Sequence, residues 1–151
     1  MSDMRAMLRN SRTPHLRSSA SLAGKTALVT GGTSGVGLAA ARELVRGGAE
    51  VMLLARNEEK ARVVAEELRS ESGRPVRVYL ADFADLAWVR ETADLIEASE
   101  PRLDVLVNSV GMHATRRRVT REGHELVFCV NHLAPFVVTW RLLPLLKRSA
   151  R

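Results

Sequence analysis

The feature that most constrains this chain is a run of glycines set between a strand pattern and a helix pattern. Ala27-Leu28-Val29 is a short apolar run, and Gly31-Gly32-Thr33-Ser34-Gly35-Val36-Gly37 follows as a turn. Val36, Ala40, Leu44 and Val45 then recur at helical spacing until Gly47-Gly48 ends the helix. Strand, tight turn and helix in that order aim a helix N-terminus, with its unpaired N–H groups, at an anion. Each glycine has a separate job. Gly31 supplies a turn angle that a side chain forbids, Gly35 lets backbone approach a phosphate, and Gly37 lets the helix pack closely on the strand. The spacing is Thr-Gly-x-x-x-Gly-x-Gly, not Gly-x-Gly-x-x-Gly. Gly24-Lys25-Thr26 imitates the end of a P-loop, but Ser19 stands where that motif needs glycine and the triplet precedes the strand. The turn therefore reads as a cradle for a dinucleotide pyrophosphate, with a ligand-free tight turn as the plain alternative.

Alternation continues downstream. Glu50 to Leu54 reads as a second strand, and Asn57 caps a helix with Ala61, Val64, Ala65 and Leu68 on one face, stopped by Ser72-Gly73-Arg74-Pro75. Val76 to Leu80 is a third strand. Asp85 caps a helix that faces inward through Leu86, Val89, Ala93 and Ile96, and Leu103 to Val107 is a fourth strand. Thr120 opens a long helix with Leu126, Val130, Leu133 and Val137 on one face. Short connections between alternating strands and helices predict a parallel sheet with right-handed crossovers and helices on both faces. The fold class is α/β, a Rossmann-type doubly wound parallel sheet in the order 3-2-1-4. Ligand is expected at the C-terminal strand ends.

Bulk properties narrow the setting. A length of 151 residues and 46% apolar composition suit one globular domain. An uncharged apolar run, Leu126 to Trp140, spans only 15 residues and contains Asn131, His132 and Pro135, which argues against a membrane span. The single cysteine, Cys129, permits no internal disulfide, and a reducing cytoplasm is expected. Of the net charge of +6, half lies in residues 1–21, which hold four arginines and one aspartate. That segment reads as a disordered basic arm, with a targeting leader, an anionic-surface tether or a mis-chosen start as alternatives. Residues 22–151 read as a dinucleotide-binding unit. His113, His124 and His132 show no ligand spacing, so no metal is expected, and Arg116-Arg117-Arg118 lacks the interleaved aromatics of a nucleic-acid surface.

The special residues fall at the strand ends. After strand two comes Ala55-Arg56-Asn57, where a carboxylate would accept bonds from a ribose 2′-hydroxyl and an arginine fork suits a 2′-phosphate. Arg56 thus favours NADP(H) over NAD(H), unless it is a solvated surface residue. Asp82 and Phe83 follow strand three, where Asp82 reads equally as an Asx turn. Asn108 and Gly111 follow strand four.

The pattern from Thr30 to Gly37 resembles the cofactor loop of the short-chain dehydrogenase/reductase family, and the later landmarks occur in that family's order. The resemblance implies cofactor contacts from Gly31, Thr33, Ser34, Gly35, Val36, Gly37, Arg56, Asp82, Phe83, Asn108 and Gly111. Asn108-Ser109-Val110-Gly111 is similar to the family's Asn-Asn-Ala-Gly, departing at Ser109 and Val110. Thr120 to Glu125, with Asn131-His132-Leu133-Ala134-Pro135-Phe136, resembles the retinol-dehydrogenase-like branch. Asn131 takes the place of the family's catalytic asparagine, whose carbonyl holds a water of a proton relay at a helix break. Pro135 fits such a break, because its ring clashes with the carbonyl of Asn131.

The resemblance also implies a serine and a Tyr-x-x-x-Lys dyad that protonate the developing alkoxide. The only tyrosine, Tyr79, has Phe83 four residues on. The resemblance thus implies that residues 22–151 are the N-terminal part of a Rossmann dinucleotide-binding domain, truncated after about four strands and the long fifth helix. The expectation is the cofactor-binding portion of an alcohol or carbonyl oxidoreductase, inactive alone, acting on a small-molecule alcohol or carbonyl once completed. A non-catalytic nucleotide-binding or interaction module is the alternative. A bare sheet edge and an uncovered face of the long helix would leave surfaces for self-association.

Overall fold

The computed structural model describes residues 20–150. The basic arm expected over residues 1–21 lies outside them, apart from Ala20 and Ser21. The described elements are β1 (Thr26–Thr30), α1 (Gly35–Arg46), β2 (Glu50–Ala55), α2 (Glu58–Ser72), β3 (Val76–Leu80), α3 (Leu86–Ser99), β4 (Val105–Asn108) and α4 (Leu126–Ser149). All strand pairs are parallel and the order is β3-β2-β1-β4, as the alternation predicts. The long helix counted fifth in the sequence is the fourth helix among the described residues.

Two helical layers sandwich the sheet because successive strand residues face opposite sides. Leu28, Met52 and Leu54 pack into one cluster with Val89, Ile96, Val138 and Leu142 of α3 and α4. Val29, Val51 and Leu53 pack into the other with Ala41, Val45, Val64 and Leu68 of α1 and α2. β1 and β2 are buried on both faces, which is why they read as unbroken apolar runs. The expected caps form: Asn57 Oδ1 accepts the Lys60 N–H at 2.8 Å, Asp85 Oδ1 accepts that of Trp88 at 3.0 Å, and Gly73 ends α2 at φ 69°.

Two helix faces differ from the sequence pattern. In α1 the buried row is Gly37, Ala41 and Val45, while Val36 is 81% exposed. Gly37, lying against the β1 turn, sets this row, and the apolar period places it one residue out. The last helix begins at Leu126, not Thr120. Gly123 turns the chain back at φ 86°, Val119 and Glu125 form an antiparallel bridge, and the Glu125 carboxylate caps the Val127 and Phe128 N–H groups.

α4 is also interrupted, with an α turn at Leu126–Phe128, a π turn at Cys129–Leu133 and regular helix over Ala134–Ser149. The π turn inserts an extra residue, so Cys129 and Ala134, five apart, both face inward, followed by Val138, Leu142 and Leu145. Of the expected row, Val130 is buried, while Leu126, Leu133 and Val137 lie half-buried at the edge of this cluster. α4 is 24 residues long and its most apolar stretch reaches a mean hydropathy of 1.5, enough in length and composition to cross a membrane, although the uncharged run within it is shorter. Its inner face is part of the core against α3 and the sheet.

Candidate dinucleotide site

The turn after β1 is built by close backbone approach. Gly31 donates its N–H to Leu54 O at 2.9 Å and sits at φ 66°, where a Cβ would stand 3.0 Å from the Val110 backbone. A Cβ on Gly37 would run into the Gly31 carbonyl, so α1 rests directly on the turn. Gly32, to which the spacing assigns no job, is crowded by side chains and not by backbone: its Cβ would meet Leu53 Cδ2 at 2.7 Å. Thr30 ties this turn to the segment after β4. Its Oγ1 accepts the N–H groups of Ser109 at 3.1 Å and Val110 at 3.3 Å. A threonine at a strand end carries no sequence signal for that bridge beyond its place before Gly31.

The start of α1 is open to solvent. Ser34 is extended at φ −163° and makes no side-chain cap, and no acid stands in the first helical turn. The first-turn N–H groups of Gly35, Val36 and Gly37 have no intrahelical acceptor, and none is supplied by the described residues. Gly35 lies at φ 54° with nothing within 4 Å of a built Cβ. Thr33 is half-buried beside them. Three unpaired donors at a positive dipole end, facing open space without a competing carboxylate, form an anion cradle. The residues present therefore fit a dinucleotide pyrophosphate.

Neighbouring strand ends complete the rim. Leu54 pairs with Thr30 across β1 and β2, so Arg56 follows on the strand next to the glycine turn. Arg56 is exposed and has no ion pair or hydrogen bond among the described residues. Glu58, two residues on, is paired with Arg62 at 2.7 Å. Asp82 is an Asx turn: its Oδ1 accepts the Ala84 N–H at 3.0 Å. Phe83 is 4% exposed, its ring lies in the core and its carbonyl accepts from the buried Cys129 thiol.

After β4, Asn108 Nδ2 donates to Thr139 Oγ1 at 2.9 Å, and that hydroxyl donates to Pro135 O at 2.7 Å. One N–H of the exposed Asn108 amide is therefore used on α4, leaving Oδ1 and the second N–H. Gly111 is exposed, with Asn131 Oδ1 as the nearest atom to a built Cβ at 3.7 Å. Asn131 lies within the π turn and clamps the loop: its Oδ1 accepts the Met112 N–H at 2.8 Å and its Nδ2 donates to Met112 O at 2.9 Å. Pro135 has no N–H to give to the Asn131 carbonyl. The expected break is thus a π turn within a continuous helix.

Tyr79 and Cys129 lie away from this rim. Tyr79 donates to Glu100 at 2.5 Å, at the far end of α3, and burial followed by that carboxylate raises its phenol above the ordinary range. Cys129 is buried and donates to Phe83 O at 3.6 Å, with its thiol pushed up by burial first and nearby carboxylates second. A surface groove lined by Arg42, Arg62, Val63 and Glu66 lies between α1 and α2 and holds none of the rim residues.

The fold and the cradle define a nucleotide-binding α/β domain of the Rossmann type. The model of the short chain dehydrogenase family matches residues 25–151, and the chain belongs to that family. Its relatives include dehydrogenase/reductase SDR family member 13 of Bos taurus, 46% identical over 140 residues that cover 92% of this chain and 37% of the relative. Retinol dehydrogenase 13 of Mus musculus is 40% identical over 134 residues, covering 88% of this chain and 40% of the relative. The chain thus spans well under half the length of these curated relatives, which place it in the retinol-dehydrogenase-like part of the family. Among solved structures, a putative short chain dehydrogenase from Escherichia coli CFT073 complexed with NADPH aligns at a TM-score of 0.74 and 33% identity, over 88% of this chain and 57% of that one. The Pseudomonas aeruginosa RhlG/NADP active-site complex aligns at 0.72 and 36% identity, over 85% and 49%. The family binds nicotinamide dinucleotides.

Proposed function

We propose that this chain is the NADP(H)-binding portion of an oxidoreductase that interconverts alcohols and carbonyls. The observation that carries this reading is the pairing of an uncapped α1 N-terminus with an unpartnered Arg56 on the adjacent strand end. Gly35, Val36 and Gly37 N–H groups hold the pyrophosphate, and Arg56 takes the adenosine 2′-phosphate through its fork of donors. The NADPH and NADP complexes among the structural neighbours support the same choice of cofactor. The bound nicotinamide supplies hydride chemistry. On this chain, Thr30 joins the two loops that flank the cofactor, and Asn131 holds the Met112 segment in place while leaving its own carbonyl without the Pro135 donor.

Protonation of an alkoxide needs an acid at the rim. In this reading neither Tyr79, which is committed to Glu100, nor the inward Cys129 supplies that acid, and the proposal includes that the 151-residue chain binds cofactor without turnover. The open edge of β4 and the exposed, stacked Phe136 and Trp140 rings, 6.3 Å apart, support association with a second chain. A cytoplasmic setting is part of the same proposal, supported by the free thiol of Cys129.

The test is Arg56→Ala. NADPH affinity should fall by about tenfold or more, as for loss of a charge-assisted contact, with NADH affinity unchanged. Unchanged NADPH affinity would remove the 2′-phosphate assignment.

A further inference from the structure

Fifteen arginines lie among the described residues, and eight of them, such as Arg42, Arg102 and Arg148, are held in ion pairs. Of the seven that are not, Arg116, Arg117, Arg118 and Arg121 fall within six consecutive positions, on the loop that leaves the C-terminal end of β4. The acids nearest in sequence are already engaged. Glu122 accepts the Leu86 N–H at 3.3 Å, and Glu125 accepts those of Val127 and Phe128 at 3.1 and 2.7 Å. Glu125 feels Arg117, yet its carboxylate is held low mainly by those two amides.

The loop is also fixed at both ends. Asn131 clamps Met112, and the Leu126 N–H bonds Arg118 O at 2.9 Å beside the Val119–Glu125 bridge. An exposed cationic run held in place this way differs from a solvated tail. It keeps its charge unneutralised beside the rim, where the dipole end of α1 adds to the positive field.

We propose that Arg116, Arg117 and Arg118, with Arg121, form an anion-recognition rim that selects carbonyl or alcohol substrates bearing a carboxylate or phosphate group. This rests on the oxidoreductase reading for the reacting carbonyl, while the anion preference itself does not require cofactor. Arginine forks match both oxyanions. Three exposed charge contacts, each worth a factor of about two to three, give about a tenfold preference at low salt.

The experiment titrates the 151-residue chain, with and without saturating NADPH, against 4-carboxybenzaldehyde, phenyl phosphate and uncharged benzaldehyde in low salt. The two anions should bind about tenfold tighter than benzaldehyde, and this preference should vanish in Arg116→Gln/Arg117→Gln/Arg118→Gln and in 0.5 M salt, roughly several Debye lengths' worth of screening across the loop. NADPH affinity of the variant should match the parent, because none of the three touches the cradle. Equal binding of charged and uncharged probes, or a preference that survives in the triple variant, would overturn the proposal. So would sedimentation with phosphatidylserine vesicles in the absence of any preference among the soluble probes. Loss of NADPH binding with the anion preference intact would count against the cofactor reading alone and in favour of the rim.

Discussion

Asp104→Asn probes what holds the two strands that carry the cradle. Asp104 lies just before β4 with its side chain 7% exposed. It accepts from Arg102 Nε and a second Arg102 nitrogen at 2.6 Å each, from Lys25 Nζ at 2.9 Å and from the Thr26 N–H at 3.0 Å. It therefore fastens the start of β1 to the start of β4, and a further backbone bond from Asp104 N to Thr26 O closes the same seam at 2.8 Å. The Arg102 guanidinium above all holds its carboxyl far below the ordinary range, with the Thr26 amide and Lys25 adding to the effect and burial opposing it. Asparagine keeps one acceptor for Thr26 but loses the charge. Removing a buried carboxylate from its partners costs about 3–5 kcal/mol. Arg102 and Lys25 are 40% and 46% exposed, so solvent screening reduces the expected loss to about 2 kcal/mol.

That loss corresponds to a melting temperature lower by about 4–8 °C for a domain of this size. A depressed folded-state pKa contributes stability that is present above the unfolded value of about 3.9 and fades as pH falls. The gap between parent and variant in urea unfolding should therefore be full at pH 7 and shrink below about pH 4. A gap under about 0.5 kcal/mol at pH 7, within the range of an ordinary surface change, would refute this reasoning. A gap that widens in acid would refute it equally.

Further outcomes follow from the same contacts. Gly37→Ala should destabilise the fold by about 1–3 kcal/mol, since its Cβ meets the Gly31 carbonyl and backbone must shift, and urea midpoints will read this. Gly35→Ala meets no atom and should cost about 1–2 kcal/mol from its positive φ alone, while weakening NADPH more than Gly37→Ala does at equal folded fraction. Asn131→Ala should raise hydrogen exchange at the Met112 amide by removing its acceptor, with little change at β1. Trp140→Lys should lower any self-association seen by analytical ultracentrifugation without moving the melting temperature, because that ring is 64% exposed.

Much of the architecture is written in local signals. The caps at Asn57 and Asp85, the stop at Gly73 and the two-sided burial of β1 and β2 each depend on residues within a few positions, so period and capping rules reach them. Gly31 and Gly37 are legible for the same reason, being demanded by a tight turn under a helix. What pattern alone does not reach is set by distant partners. Gly32 is small because Leu53 lies above it, and Thr30 matters because Ser109 and Val110, far along the chain, need an acceptor. The π turn shifts the inner face of α4 by one residue, an insertion that a 3.6-residue period cannot register. The bond from Asn108 to Thr139 and the burial of the Phe83 ring in the core are set by distant partners in the same way.

The most direct test of the cradle is a calorimetric titration of the folded 151-residue chain with NADPH, repeated with inorganic pyrophosphate as competitor. One NADPH should bind per chain and pyrophosphate should displace it, because both would occupy the N–H groups of Gly35, Val36 and Gly37. A sample with a cooperative melting transition that takes up no NADPH would contradict the account at its centre.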